Sequence, residues 1–165
     1  MRVVLLVLVT FFVAACGQYA ERSPWPAQIA SMEGMTDTEK AEVRKAVESL
    51  NSLFGGQVLS FSPESETNYT ISMKKSEPPT DNAQRAGYAT VGIANCSVDL
   101  SAVLFREGMK EYIRPVVFHE LGHCAGLEHS PDENDVMYKT TNKDGFYTEE
   151  AIERFLAAFR ASAGL

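Results

Sequence analysis

All three histidines of this chain stand in one stretch, "HELGHCAGLEH" at residues 119–129, and that stretch constrains the fold more than any other. In an α-helix, positions four apart lie on one face, so His119 and His123 project side by side. A helix that simply continued would carry the next imidazole away from them. Gly126 ends it, because glycine takes the left-handed conformation that other residues resist, and the chain can then return His129. Three imidazoles gathered in this way suit one zinc ion, with Zn–N distances of about 2.0–2.1 Å, and leave a fourth position open. Glu120 is not needed as a ligand and stands where it can serve a water at that position as general base. Satisfied polar side chains on a core helix are the plainer alternative, and the spacing of the glutamate and glycine weighs against it.

The pattern His119-Glu120-x-x-His123-x-x-Gly126-x-x-His129 resembles the signature of the metzincin zinc metallopeptidases. That resemblance implies a methionine in a tight turn beneath the metal, and Met137 in "SPDENDVMY" stands eight residues after His129. The run "VVFHELGHCAGLEHSPDENDVMY" is most similar to matrixins, which share Ser130 and this distance to the methionine. The implied activity is a zinc endopeptidase hydrolysing protein or peptide amide bonds, with one catalytic Zn2+ held by His119, His123 and His129. Glu120 would be its base and Met137 its supporting turn. The implied fold is α+β: a mixed, twisted sheet with a long active-site helix beneath it and a C-terminal helix. The match is confined to about residues 110–140. Lys139 stands where matrixins usually carry proline, and Tyr138 is one residue too early to match the metal-contacting tyrosine of astacins. No cysteine-switch motif is visible. The segment that gives matrixins structural zinc and calcium is also missing, so those ions are not expected.

A length of 165 residues allows one domain with a real core, and a hydrophobic content of 45% is ordinary for a globular chain. The net charge of −7, with no basic stripe, argues against a nucleic-acid binder. Met1 and Arg2 precede the apolar run "VVLLVLVTFFVAA", residues 3–15, which is shorter than the roughly 20 residues a membrane-spanning helix needs. It has the dimensions of a signal peptide, and "VAAC" resembles the bacterial lipobox. The resemblance implies cleavage before Cys16 and lipid attached there, with Gly17 favouring the outer membrane of a bacterial envelope. An ordinary secretory signal with an incidental cysteine is the alternative. The expected organisation is therefore a signal peptide over 1–15, a lipidated Cys16 with a tether over 16–35, and a catalytic domain over 36–165, monomeric and facing a protein or peptide substrate. In an exported domain Cys96 and Cys124 are the natural disulfide pair, although spacing does not show that they come within bridging range.

Thr36 and Glu39 have capping-box spacing, and Val43, Ala46, Val47 and Leu50 recur at helical intervals, which predicts a helix over 37–54. Strands are expected near 57–62, 68–74, 87–93 and 96–101. The active-site helix should begin near Glu111 and stop at Gly126. A last helix should follow Thr148, with Ile152, Phe155, Leu156 and Phe159 on one face. Asp132, Glu133 and Asp135 lack calcium-loop spacing and read as a solvated acidic turn. Tyr138, Phe146 and Tyr147 suit either a pocket wall or packing, and "GYATVGI" either a substrate-pairing edge strand or a plain core strand. A different class of function also fits: a non-catalytic, zinc-containing envelope lipoprotein that binds a partner, for which Glu120 would have no purpose.

Overall fold

The computed structural model describes residues 27–56, 58–61, 69–77, 86–141, 144 and 147–163. The expected signal peptide, Cys16 and Phe146 lie outside these residues, as do the side chains of Leu156 and Phe159.

Alternating side chains give the sheet one apolar face. In β3 (Thr70–Ser76) Ile71 and Met73 are buried, and in β5 (Asn95–Ser101) Cys96, Val98 and Leu100 are buried. The two strands run parallel with Ile71 opposite Cys96 and Met73 opposite Val98, so the apolar residues share a face. Lys74 and Asp99 pair across the other face, with an Nζ–Oδ1 distance of 3.2 Å. The order is β2-β1-β3-β5-β4, where β1 is Ala27–Glu33, β2 is Leu59–Ser60 and β4 is Gly87–Val91. All neighbours are parallel except β4, which runs antiparallel to β5 along one edge. Gly87 and Ala89 of β4 stand opposite Leu100 and Val98 on the core face, while Val91, opposite Cys96, is exposed at the end of the strand.

β1 corrects the expected boundaries. Residues 27–33 are not tether: Ala27 and Ile29 are buried, and the strand pairs with both β2 and β3. Its short apolar content hides it in the sequence, because the pairing that secures it comes from residues about 40 positions later. β2 is shorter than the expected segment. Asn51 explains its placement, since its Oδ1 accepts from the backbone N–H groups of Val58 and Leu59 and its Nδ2 donates to Leu59 O.

Helix α1 (Asp37–Leu53) opens on the expected capping box: Thr36 Oγ1 accepts from Glu39 N–H, and Glu39 Oε2 accepts from Thr36 N–H. Val43, Ala46, Val47 and Leu50 form its buried stripe. Two 3-10 turns, Ala102–Phe105 and Lys110–Tyr112, lead into α2 (Ile113–Cys124), which begins two residues later than expected. This helix is buried almost all round, as a helix running through a core must be. Helix α3 (Glu149–Ala163) is docked by Phe155, which stacks on Phe54 at the end of α1 with ring centroids 4.3 Å apart. Cys96 of β5 and Cys124, the last residue of α2, are joined in a disulfide, so the expected pair is bridged.

Candidate metal centre

The end of α2 shows why the third histidine comes back. Gly126 has φ of +82°. Its N–H donates to His123 O at 2.8 Å, and Leu127 N–H reaches Gly122 O at 2.9 Å. These two bonds close the terminus in a Schellman arrangement that a Cβ at 126 would strain. The reversed chain brings His129 alongside the helix, and one ring nitrogen from each of His119, His123 and His129 lies within 4.8 Å of the others.

The rings are oriented as ligands. His119 Nδ1 sits 2.7 Å from Val136 O and His123 Nδ1 2.8 Å from Leu127 O. A carbonyl only accepts, so each Nδ1 carries the proton and each Nε2 keeps its lone pair. The Nε2 atoms of His119 and His123 are 3.1 Å apart, and those of His123 and His129 are 3.3 Å apart. The His119 and His123 lone pairs, facing at that distance, repel unless a cation lies between them. Zinc bound tetrahedrally at about 2.05 Å would hold its nitrogens about 3.3 Å apart, so the donor set fits the ion. Cys124 is spent in the disulfide and offers no fourth ligand.

Burial also keeps the two helix rings, His119 and His123, neutral. It pulls the His119 pKa down to about 4, outweighing the Val136 carbonyl, which raises it. His123 is lowered by burial too, against the Leu127 carbonyl. Between the ordinary pKa of 6.5 and about 4, the unfolded chain therefore takes up protons that the folded chain refuses. The zinc-free protein is most stable above this window and loses stability as pH falls through it. Urea midpoints of chelator-treated protein check this, with a lower midpoint expected at about pH 5 than at about pH 7.5.

Met137 is fully buried beneath the helix. Gly122 makes that possible, because a Cβ there would collide with Met137 Sδ. Tyr147 is packing, not pocket wall: it is buried, stacks on Phe118 and donates its hydroxyl to Phe118 O. Asp135 departs from the expected solvated turn. Asp132 and Glu133 are exposed, but Asp135 is only 3% exposed, with Oδ1 accepting from Met137 N–H and Oδ2 from Thr148 Oγ1.

Above the imidazoles lies a cleft of about 600 Å³ lined by all three histidines and Glu120. Gly87 and Tyr88 of β4 border it, with Leu104, Met109, Tyr112 and Val116 adding apolar surface and Lys139 a charge. Gly87 opens the "GYATVGI" strand, and a Cβ there would lie 2.6 Å from Glu120 Oε1, a closeness the strand pattern alone does not reveal. Its backbone is ordinary, so only the contact with Glu120 marks it. Gly87→Ala should push the carboxylate aside and lower kcat/KM by about 10²-fold, as misplacements near 1 Å do. In a Glu120→Ala background the same change should cost nothing further, and kinetics of the four proteins measure this.

A mixed five-stranded sheet over a buried helix that carries converging imidazoles and an adjacent glutamate defines a zinc metallopeptidase of the metzincin type. The family model for matrixin matches residues 55–151, more than half of the chain, and the chain belongs to the matrixin family. It is a zinc metalloendopeptidase. Among solved structures, archaemetzincin from Methanopyrus kandleri superposes with a TM-score of 0.60 at 13% identity, covering 86% of this chain and 97% of its own. Archaemetzincin from Archaeoglobus fulgidus, solved with malonate, gives 0.51 at 14% identity over 77% and 99% of the two chains. Metalloproteinase-II from Bacteroides fragilis gives 0.50 at 15% identity; the match covers 81% of this chain and 53% of that one. These likenesses show the shared fold. A comparison with curated proteins finds no match.

Proposed function

We propose that the protein cuts extended protein or peptide chains in the cleft beside β4, with Glu120 as general base. The observation that carries this reading is the convergence of the Nε2 atoms of His119, His123 and His129 on the floor of a cleft that Glu120 also lines. Zinc held there supplies a water whose pKa is lowered to about 7 and polarises the scissile carbonyl. The chain supplies the rest. Glu120 accepts the proton released as water attacks and delivers it to the departing amine nitrogen. The edge strand β4 offers a ladder on which an extended substrate aligns, and Gly87 leaves the carboxylate room at its start. Val136 and Leu127 keep the two helix imidazoles in the ligating tautomer.

The test is digestion of a diverse peptide mixture by the purified, zinc-loaded protein, with cleavage sites located by mass spectrometry. Internal cuts that stop with a chelator and return with zinc are expected. A zinc-loaded protein that cuts nothing, or only trims ends, would overturn the reading.

For location, the reading is a lipoprotein anchored through Cys16 in a bacterial envelope, on the outer membrane. The "VAAC" boundary supports it, as does the Cys96–Cys124 disulfide, since such bonds persist in exported proteins. The intact protein should partition into detergent and Cys16→Ser into the aqueous phase. Equal partitioning of the two would contradict anchoring.

A further inference from the structure

We propose that Asp135 is a positioning residue for the metal centre, acting through Val136 and His119 and tying the centre to the start of α3. The inference rests on the three-histidine zinc reading and extends it to a residue that touches neither metal nor substrate.

The connection is a short chain of hydrogen bonds. Asp135 Oδ1 accepts from Met137 N–H at 2.8 Å, which spans Val136 and folds the backbone around it. Asp135 O accepts from Tyr138 N–H at 2.9 Å, and Asp135 N–H donates to Asp132 O at 3.1 Å. Ser130 N–H donates to Met137 O at 2.9 Å, so the segment is held from the His129 side as well. What remains of Val136 is its carbonyl, aimed at His119 Nδ1 at 2.7 Å. That contact sets the His119 tautomer and leaves its Nε2 lone pair facing the other imidazoles.

The second carboxylate oxygen reaches the last helix. Asp135 Oδ2 accepts from Thr148 Oγ1 at 2.7 Å, and Thr148 Oγ1 accepts in turn from Ala151 N–H in the first turn of α3. Arg154 Nη2, one turn further on, stands 4.0 Å from the same oxygen. A carboxylate this deeply buried is costly unless its oxygens are satisfied, and here they are satisfied by the methionine turn on one side and α3 on the other. Loss of the carboxylate would release Val136 and, through it, the orientation of His119.

The test is zinc affinity, measured by chelator competition on the purified protein, with urea unfolding of the zinc-free form alongside. Asp135→Ala should raise the zinc Kd by about 10–100-fold, the usual cost of removing a group that orients a ligand. Asp135→Asn should stay near the parent, because its side-chain oxygen still accepts from Met137 N–H and its amide can donate to Thr148. Should Asp135→Ala fail to fold, a matched pair decides. Thr148→Val and Thr36→Val each delete an N-cap hydroxyl, but only Thr148 touches Asp135. Weaker zinc binding in Thr148→Val and unchanged binding in Thr36→Val is the expected pattern. Equal Kd values in parent, Asp135→Ala and Thr148→Val, with stability alone reduced, would make Asp135 merely structural and overturn the inference. A parent that binds no zinc would instead defeat the metal reading on which it rests.

Discussion

Glu120→Gln is expected to lower kcat/KM by on the order of 10²–10⁴-fold while the protein still binds one zinc ion, because a general base contributes about that much. Glutamine matches the size and planarity of the buried glutamate, so the core around α2 need not rearrange. Its amide, however, cannot take a proton from the attacking water. Zinc retention follows from the ligand set, which consists of the three histidines and excludes Glu120. Parallel zinc analysis and peptide cleavage decide the matter. Activity within about tenfold of the parent, with zinc bound, would assign the proton transfer to another group.

The second large effect is on stability. The disulfide closes a loop with a sequence separation of 28 between the start of β5 and the end of the active-site helix. A loop of that length corresponds to about 3–4 kcal/mol in the chain-entropy picture. Both cysteines are buried, so the double change Cys96→Ala, Cys124→Ala avoids burying new hydroxyls. It should lower unfolding free energy by roughly that amount, read from urea midpoints. Because Cys124 follows His123 directly, zinc should also dissociate more readily from the variant. A loss below about 1 kcal/mol would mean that packing alone holds α2 against the sheet.

Much of the centre was legible because its information is local. The spacing of His119 and His123, the glycine at 126 and the return of His129 depend on helix geometry within eleven residues. The capping box at Thr36 and Glu39 and the apolar stripe of α1 are local in the same sense. What escaped depends on partners distant in sequence. β1 looks like tether until β3 is beside it, and β2 is set by Asn51, not by its own residues. Gly87 is ordinary until Glu120, more than 30 positions later, comes over it. Asp135 carries the chemistry of a surface turn, and only the arrival of Thr148 and Arg154 makes it a buried anchor. The two cysteines could be paired by count, but their approach to bridging distance is a property of how α2 lies across β5.

A zinc ion held by three imidazoles, with one position left open to solvent, is what the catalytic reading requires. X-ray absorption at the zinc edge on the purified, zinc-loaded protein tests it most directly. Three nitrogen ligands with imidazole scattering at about 2.0–2.1 Å and one further light atom from water are expected. Sulfur in the coordination shell, or a fourth protein ligand closing the site, would contradict it.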